Sequence, residues 1–258
     1  MTHEELLFNK YFVDITQAAL VENISRKLDR FGLVTFENIH SREQLINFAE
    51  KFGAIFMHRD SDADGITVVN DRGYEEITAG YEGLSNAELT LHTDRSGEKS
   101  PPELMFFVCK KQALVGGETF LVDGKEVLDI MSKEYQSEYH QILENKSVIF
   151  GGADELYCGS MINRLSNGNY SIRFRFDELG YFSSNTYNAV KRLLQVMKER
   201  AFKLRLKENQ GYLIKNDRIL HGRTNFQGER EMHRLLVCLN HLSRIAPGFD
   251  MQVKNAVN

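Results

Sequence analysis

The sequence of 258 residues predicts a mainly β protein with flanking helices, its core a double-stranded β-helix (jelly roll). Three observations carry that expectation. Short apolar runs of strand length recur from about residue 54 to residue 241, each set off by turn-forming residues. Helical spacing is confined to the N-terminal region, to about 125–136 and to a late insertion at about 186–208. Only three prolines occur (Pro101, Pro102 and Pro247), with no repeat and no Pro/Gly/Ser-rich linker, so residues 1–258 read as one domain.

The N-terminal MTHEELLFNKYFVDI has early acidic residues and no long apolar run, so it reads as a frayed end and not as a signal peptide. Residues 15–31 carry helical spacing and stop at Gly32; GLVTFENI follows as a strand. Ser41, with Glu43 and Gln44 beyond it, opens a capped helix over 41–52. These N-terminal helices, about 15–52, are expected to pack on the barrel. The strand candidates are then AIFMHR, ITVVN, ELTLHTD, ELMFFVC, ETFLVDG, SVIFG, YSIRFRF, YLIKND, RILHGR and HRLLVCLNH. In the late insertion, Val190, Leu193, Leu194 and Met197 share one face, while Lys191, Arg192, Lys198, Arg200, Lys203 and Arg205 lie largely elsewhere. That pattern describes a solvated outer face packed on a sheet, or a helix that grips nucleic acid.

A net charge of −4 gives no global case for nucleic acid or anionic membrane as partner, and no stretch approaches the ~20 apolar residues of a membrane helix. A small-molecule substrate and a cytoplasmic location are the expectations. Cys109, Cys158 and Cys238 are far apart and make no CxxC unit, so they read as small core side chains in a reducing compartment.

The chemistry centres on ELTLHTDRSGEKSPPELMFF (88–107). His92 and Asp94 stand two apart at a strand end, and alternation aims both at one side. Two other pairs, His3–Glu5 and His58–Asp60, have the same spacing, and chance alone supplies such matches. Downstream, YLIKNDRILHGRTNF offers His221 on an apolar strand, and HRLLVCLNH offers Arg234 facing away from Leu235 and Val237, toward either solvent or a buried anion. Two imidazoles and one carboxylate leave three coordination positions open, which suits non-haem Fe(II) with a keto-acid cosubstrate and O2. The cosubstrate's far carboxylate then requires a planar cation. A zinc hydrolase with a metal-bound water uses the same three side chains, and a jelly roll without catalysis is a further alternative.

In this order, HTDRSGEKSPPELMFF, GGETFLVDG (116–124), NDRILHGRTNF and HRLLVCLN resemble the TauD/TfdA (taurine dioxygenase-like) family of Fe(II)/2-oxoglutarate-dependent oxygenases, over roughly residues 30–241. The resemblance implies that His92, Asp94 and His221 are the catalytic metal ligands. It assigns 2-oxoglutarate to Thr119 and Arg234, and it implies Fe(II), 2-oxoglutarate and O2 as cofactors. It sets His58–Asp60 aside, because only the later pair precedes the Pro-Pro strand and the GGET segment. The implied reaction converts 2-oxoglutarate to succinate and CO2 and hydroxylates an unactivated C–H bond. Asp94 stands where related halogenases carry a small residue, which favours hydroxylation; desaturation of a natural-product intermediate stays open.

Near the mouth of such a site lie Arg59, Asp60, Asp62, Glu88, Arg95 and Arg223. Of these, Arg59, Glu88, Arg95 and Arg223 are the substrate candidates. Mixed cations and carboxylates suit a free amino acid or related small carboxylic acid, with Arg59 or Arg95 on its carboxylate. The polar, tyrosine-bearing segment 71–90 reads as a lid over substrate or as an ordinary loop.

Overall fold

The computed structural model describes residues 2–73, 79–152, 156–240 and 243–251. The terminus expected to fray is a helix, α1 (His3–Tyr11). Thr2 accepts from the Glu5 backbone N–H while the Glu5 carboxylate accepts from the Thr2 N–H, a reciprocal cap, and Phe8 and Tyr11 are buried. Helix α2 (Leu20–Phe31) starts later than the apolar spacing implies, because Asp14 captures both the N–H and the hydroxyl of Thr16 in a local turn. Gly32, at φ 68°, ends it in the left-handed region. Then come β1 (Leu33–Phe36), α3 (Arg42–Ala49, capped reciprocally by Ser41 and Gln44), β2 (Gly53–Phe56) and β3 (Thr67–Val69). They are followed by β4 (Leu89–His92), β5 (Leu104–Lys111), β6 (Val115–Gly116) and β7 (Thr119–Asp123).

The helix expected at 125–136 is two, α4 (Gly124–Glu134) and α5 (Gln136–Ile142), broken at the non-helical Tyr135. Short strands follow: β8 (Val148–Gly151), β9 (Leu156–Gly159), β10 (Ile162–Arg164), β11 (Tyr170–Ile172) and β12 (Gly180–Phe182). Helix α6 (Tyr187–Arg200) stops well before residue 208. Ala201 is extended, and β13 (Phe202–Leu204) pairs with β7. The chain closes with β14 (Gly211–Lys215), β15 (Ile219–Arg223), β16 (Phe226–Gln227) and β17 (Glu231–Leu239).

The larger sheet runs β1-β14-β5-β17-β2, with β3 also on β17; the smaller runs β13-β7-β15-β4. Their facing sides enclose Met105, Phe107, Tyr212, Met232 and Leu236 from the first and Leu121, Leu204 and Ile219 from the second. This is the jelly-roll arrangement. The outer side of the larger sheet packs Val34, Phe106, Leu213 and Leu235 against Ile24, Leu28, Leu45 and Phe48 of α2 and α3 and the loop beside them. The outer side of the smaller packs Val122 and Leu220 against Val127, Met131, Ile142, Val190, Leu193 and Met197 of α4–α6. Strand β5 is apolar throughout (LMFFVC) because successive side chains enter two different cores. On α6, Lys191, Lys198 and Arg200 remain exposed, and Arg200 pairs with Glu126, so the basic side is a solvated outer face.

Cys109 is buried, but Cys158 lies exposed on β9 and Cys238 is half-buried, so the core reading fits only the first. No helix among the described residues is long and apolar enough to cross a membrane.

Candidate metal centre

Strands β4 and β15 pair antiparallel, with His92 directly opposite His221 and the ring centroids 4.3 Å apart. The ladder is irregular here: Arg223 pairs with Leu89, so β4 carries one more residue than its partner between the two pairs. Gly222 lies in this stretch, where an added Cβ would meet the Leu89 carbonyl oxygen at 2.6 Å. The close approach of the two strands therefore requires glycine. Asp94, two residues past His92, turns back to the same side. His92 Nε2 is 3.9 Å from Asp94 Oδ1 and His221 Nε2 is 3.8 Å from Asp94 Oδ2. One donor atom from each residue lies within 4.8 Å of the others, and among the described residues this is the one convergent set of three metal-ligating side chains.

Sequence reading missed the residue that holds Asp94 in place. Asn216, buried in the turn between β14 and β15, accepts from the Asp94 N–H at 2.7 Å and donates to the Asp94 and Pro102 carbonyls, each at 2.9 Å. KND in the sequence announces only a turn. Asn216→Ala is expected to weaken metal binding by about 10–100-fold, as loss of an orienting partner does. The groups it leaves unmet should also lower stability by about 2 kcal/mol. A metal titration alongside a thermal melt measures both, and an unchanged metal affinity would make Asn216 a purely structural residue.

The electrostatics prepare a cation site. The Thr90 carbonyl accepts from His92 Nδ1 at 2.8 Å, which orients the ring so that Nε2 faces Asp94. Burial, with His92 and Arg234 nearby, pushes His221 down to about 3 despite Asp94, so its ring is neutral at pH 7. For Asp94 burial opposes ionisation, but Arg234, His221, His92 and His58 outweigh it and bring the carboxyl to about 2. Arg234 Nη1 donates to Asp94 Oδ1 at 2.8 Å, whereas Asp94 Oδ2 is buried without a donor among the described residues. An ionised carboxylate with an unmet oxygen, faced by imidazole nitrogens, fits a divalent metal.

Arg234 thus points inward, and its partner in this structure is Asp94. A second arginine lies in the same cavity, which also contains Thr119, Tyr212 and Phe107. Arg230 is 3% exposed, its Nε and Nη1 have no hydrogen-bond partner among the described residues, and burial pulls it down to about 10. It lies just before β17, and its place in the cavity lining makes it face inward. GERE nevertheless reads as surface charge, and the strand candidate began only at His233.

Arg59, Asp60 and Arg95 line this cavity, as does His58. The rival pair His58–Asp60 is therefore close to the centre, but among the described residues it converges with no third ligand. Asp62 pairs with Arg42 and lies outside the cavity lining. Glu88 is exposed and outside it too, because the extra residue in β4 leaves Leu89 opposite Arg223. Arg223 is 4% exposed, and its guanidinium donates to the carbonyls of Glu82, Gly83, Ser85 and Ala87. It clamps that wall and lines the cavity, and its Nε has no partner among the described residues. Of the segment read as a lid, 74–78 lie outside the described residues. The wall at 80–87 is tied down by Arg59 on the Gly80 carbonyl and by Arg223.

Residues 12–236 match the family described as taurine catabolism dioxygenase TauD, TfdA family. Over 179 residues the chain is 26% identical to the γ-butyrobetaine dioxygenase of Homo sapiens, covering 63% of this chain and 46% of that protein. It is 23% identical over 218 residues to a uridine-5'-phosphate dioxygenase of Streptomyces sp, covering 77% and 78%. The chain spans about half the length of the γ-butyrobetaine and trimethyllysine dioxygenases it matches. A taurine dioxygenase structure from Burkholderia xenovorans shares the fold, with a TM-score of 0.68, 14% identity and coverage of 88% and 85%.

Proposed function

The chain belongs to the taurine catabolism dioxygenase TauD, TfdA family, and from that premise we propose that it is an Fe(II)- and 2-oxoglutarate-dependent dioxygenase that hydroxylates a small, negatively charged or zwitterionic substrate. The observation that carries this reading is the convergence of His92, Asp94 and His221 in one cavity with two inward arginines. When bound, iron and 2-oxoglutarate supply the oxidising chemistry, with succinate and CO2 as by-products.

The chain's own residues have distinct tasks. His92, Asp94 and His221 hold the metal on one side, and Asn216 fixes Asp94. The resemblance in sequence gives the far carboxylate of 2-oxoglutarate to Thr119 and Arg234. The unmet Nε and Nη1 of Arg230, which lines the same cavity as Thr119, favour Arg230 as the guanidinium that receives it. Arg234 then stays beside Asp94 and restrains its carboxylate.

A substrate carrying a trimethylammonium group would call for an aromatic cage. Among the described lining residues the phenyl and phenol rings are Phe107 and Tyr212, both in the packed interior between the sheets. The polar wall of Arg59, Asp60, Arg95 and Glu98 instead suits an amino acid, a small carboxylic acid or a small phosphate ester.

An anaerobic titration with Fe(II) and 2-oxoglutarate tests the proposal. A weak visible charge-transfer band that requires both components is expected, followed in air by succinate formation that an amino acid, carboxylate or phosphate ester stimulates. Metal uptake without any affinity for 2-oxoglutarate would leave the hydrolase alternative standing instead.

A further inference from the structure

We propose that Lys215 and Asp217 are positioning residues for the metal centre: they clamp residues 246–248 onto the turn between β14 and β15, and through Asn216 that clamp fixes where the turn holds Asp94. This deepens the oxygenase reading and rests on it. Three observations lead there.

The first is the division of labour within KND (215–217). The middle residue, Asn216, holds the backbone of Asp94 and Pro102. Its two neighbours reach a different segment. Lys215 Nζ donates to Ala246 O at 2.6 Å and to Gly248 O. Asp217 Oδ2 accepts from the Gly248 N–H at 2.5 Å. The N–H and the carbonyl of one glycine are thus held by opposite charges two positions apart.

The second is the burial of those charges. Lys215 is 2% exposed, and the carboxylate paired with it, Asp29, stands 4.0 Å from its Nζ. Asp217 Oδ1 is buried with no partner among the described residues. Burial pushes the Lys215 ammonium down and the Asp217 carboxyl up, each shift opposed by the other's charge. Apolar side chains of similar volume commonly fill such a space with no loss of stability. What the charged pair adds is its grip on the segment at 246–248.

The third is the course of that segment. Ile245 is buried with α2 and α3 outside the larger sheet, and Phe249 with α4–α6 outside the smaller. Phe249 also exchanges both backbone hydrogen bonds with Tyr170, each at 2.8 Å. The segment therefore passes from one outer layer to the other, as the turn passes from β14 in the larger sheet to β15 in the smaller. The fit is close at Gly248, which has φ 73° and where an added Cβ would meet Tyr170 O at 2.5 Å.

The test is calorimetric titration of Fe(II) into anaerobic protein, below the melting temperature of every variant, followed by 2-oxoglutarate with the visible band recorded. Lys215→Met, Asp217→Ala and Gly248→Ala should each weaken Fe(II) binding about tenfold, as loss of an outer partner does. Gly248→Ala leaves the turn's own side chains in place, so it decides the question if Lys215→Met fails to fold. Asp217→Asn, which keeps an acceptor for the Gly248 N–H, should recover most of the loss. With Asn216→Ala already present, Gly248→Ala should add little, because both act through one contact. Leu45→Ala, a core truncation on α3, should lower the melting temperature and leave Fe(II) affinity unchanged. Wild-type affinity in Lys215→Met, Asp217→Ala and Gly248→Ala overturns the proposal. So does a Gly248→Ala loss that persists in full without Asn216, or an equal loss in Leu45→Ala. Loading reports separately: a wild type that binds Fe(II) but develops no band with 2-oxoglutarate overturns the oxygenase reading, and the Fe(II) comparison still decides the clamp.

Discussion

Arg230→Met will raise the melting temperature of the ligand-free protein while removing most of its affinity for 2-oxoglutarate. Arg230 is a nearly inaccessible cation whose Nε and Nη1 bond nothing among the described residues, flanked by Phe107 and Phe226 at 5.9 and 5.6 Å from its guanidinium carbon. Replacing a buried charge with a hydrophobic side chain of similar volume commonly stabilises by about 1–4 kcal/mol. At this chain length each kcal/mol is worth roughly 2–4 °C. The same guanidinium facing a buried carboxylate has the opposite value. Its truncation costs about 2–5 kcal/mol of binding, roughly 300-fold in affinity near the middle of that range. Differential scanning calorimetry and a 2-oxoglutarate titration at saturating metal read the two effects. An unchanged affinity would return the cosubstrate's far carboxylate to Arg234.

Asp94→Ala should act with the reverse sign on stability and eliminate metal binding. The carboxylate is the one anion among the three ligands, and it is also the partner of Arg234 Nη1 at 2.8 Å. Its loss should weaken Fe(II) binding by more than the ~10–100-fold that an outer partner commands. No charge-transfer band and no succinate are then expected. Arg234 is left inward-facing without its carboxylate, which costs about 3 kcal/mol. That is the low end of the usual range, because its side chain keeps 17% exposure. A variant that still bound iron with wild-type affinity would show that the three residues do not form the site.

The barrel strands were legible because alternation between two cores, or between core and solvent, is written locally in runs such as LMFFVC and RILHGR. The pairing of His92 and Asp94 on one side was legible for the same reason. Their union with His221 was not local, and motif order supplied it. Other features were hidden by tertiary context. The Thr2–Glu5 cap stood in plain view, but a chain end argues for fraying until Phe8 and Tyr11 are known to be buried. Lys203 and Arg205 prolong a basic helical pattern, yet pairing with β7 makes Phe202–Leu204 a strand. Asn216 and Arg230 sit among turn-like or charged neighbours, and nothing nearby announces that each is almost inaccessible.

The additional residue in β4 reaches beyond the ligand pair. In an uninterrupted ladder, residues 92, 90 and 88 would share a side. The register shift instead sets Leu89 against Arg223 and leaves Glu88 in solvent. A relative that paired the same residues without the bulge would set Thr90 against Arg223 and swing the Glu88 carboxylate to the side where this chain shows a leucine. Where a single bulge falls can therefore retune what such a protein accepts while leaving its metal grip intact, a route to new selectivity that needs no change among the three ligands.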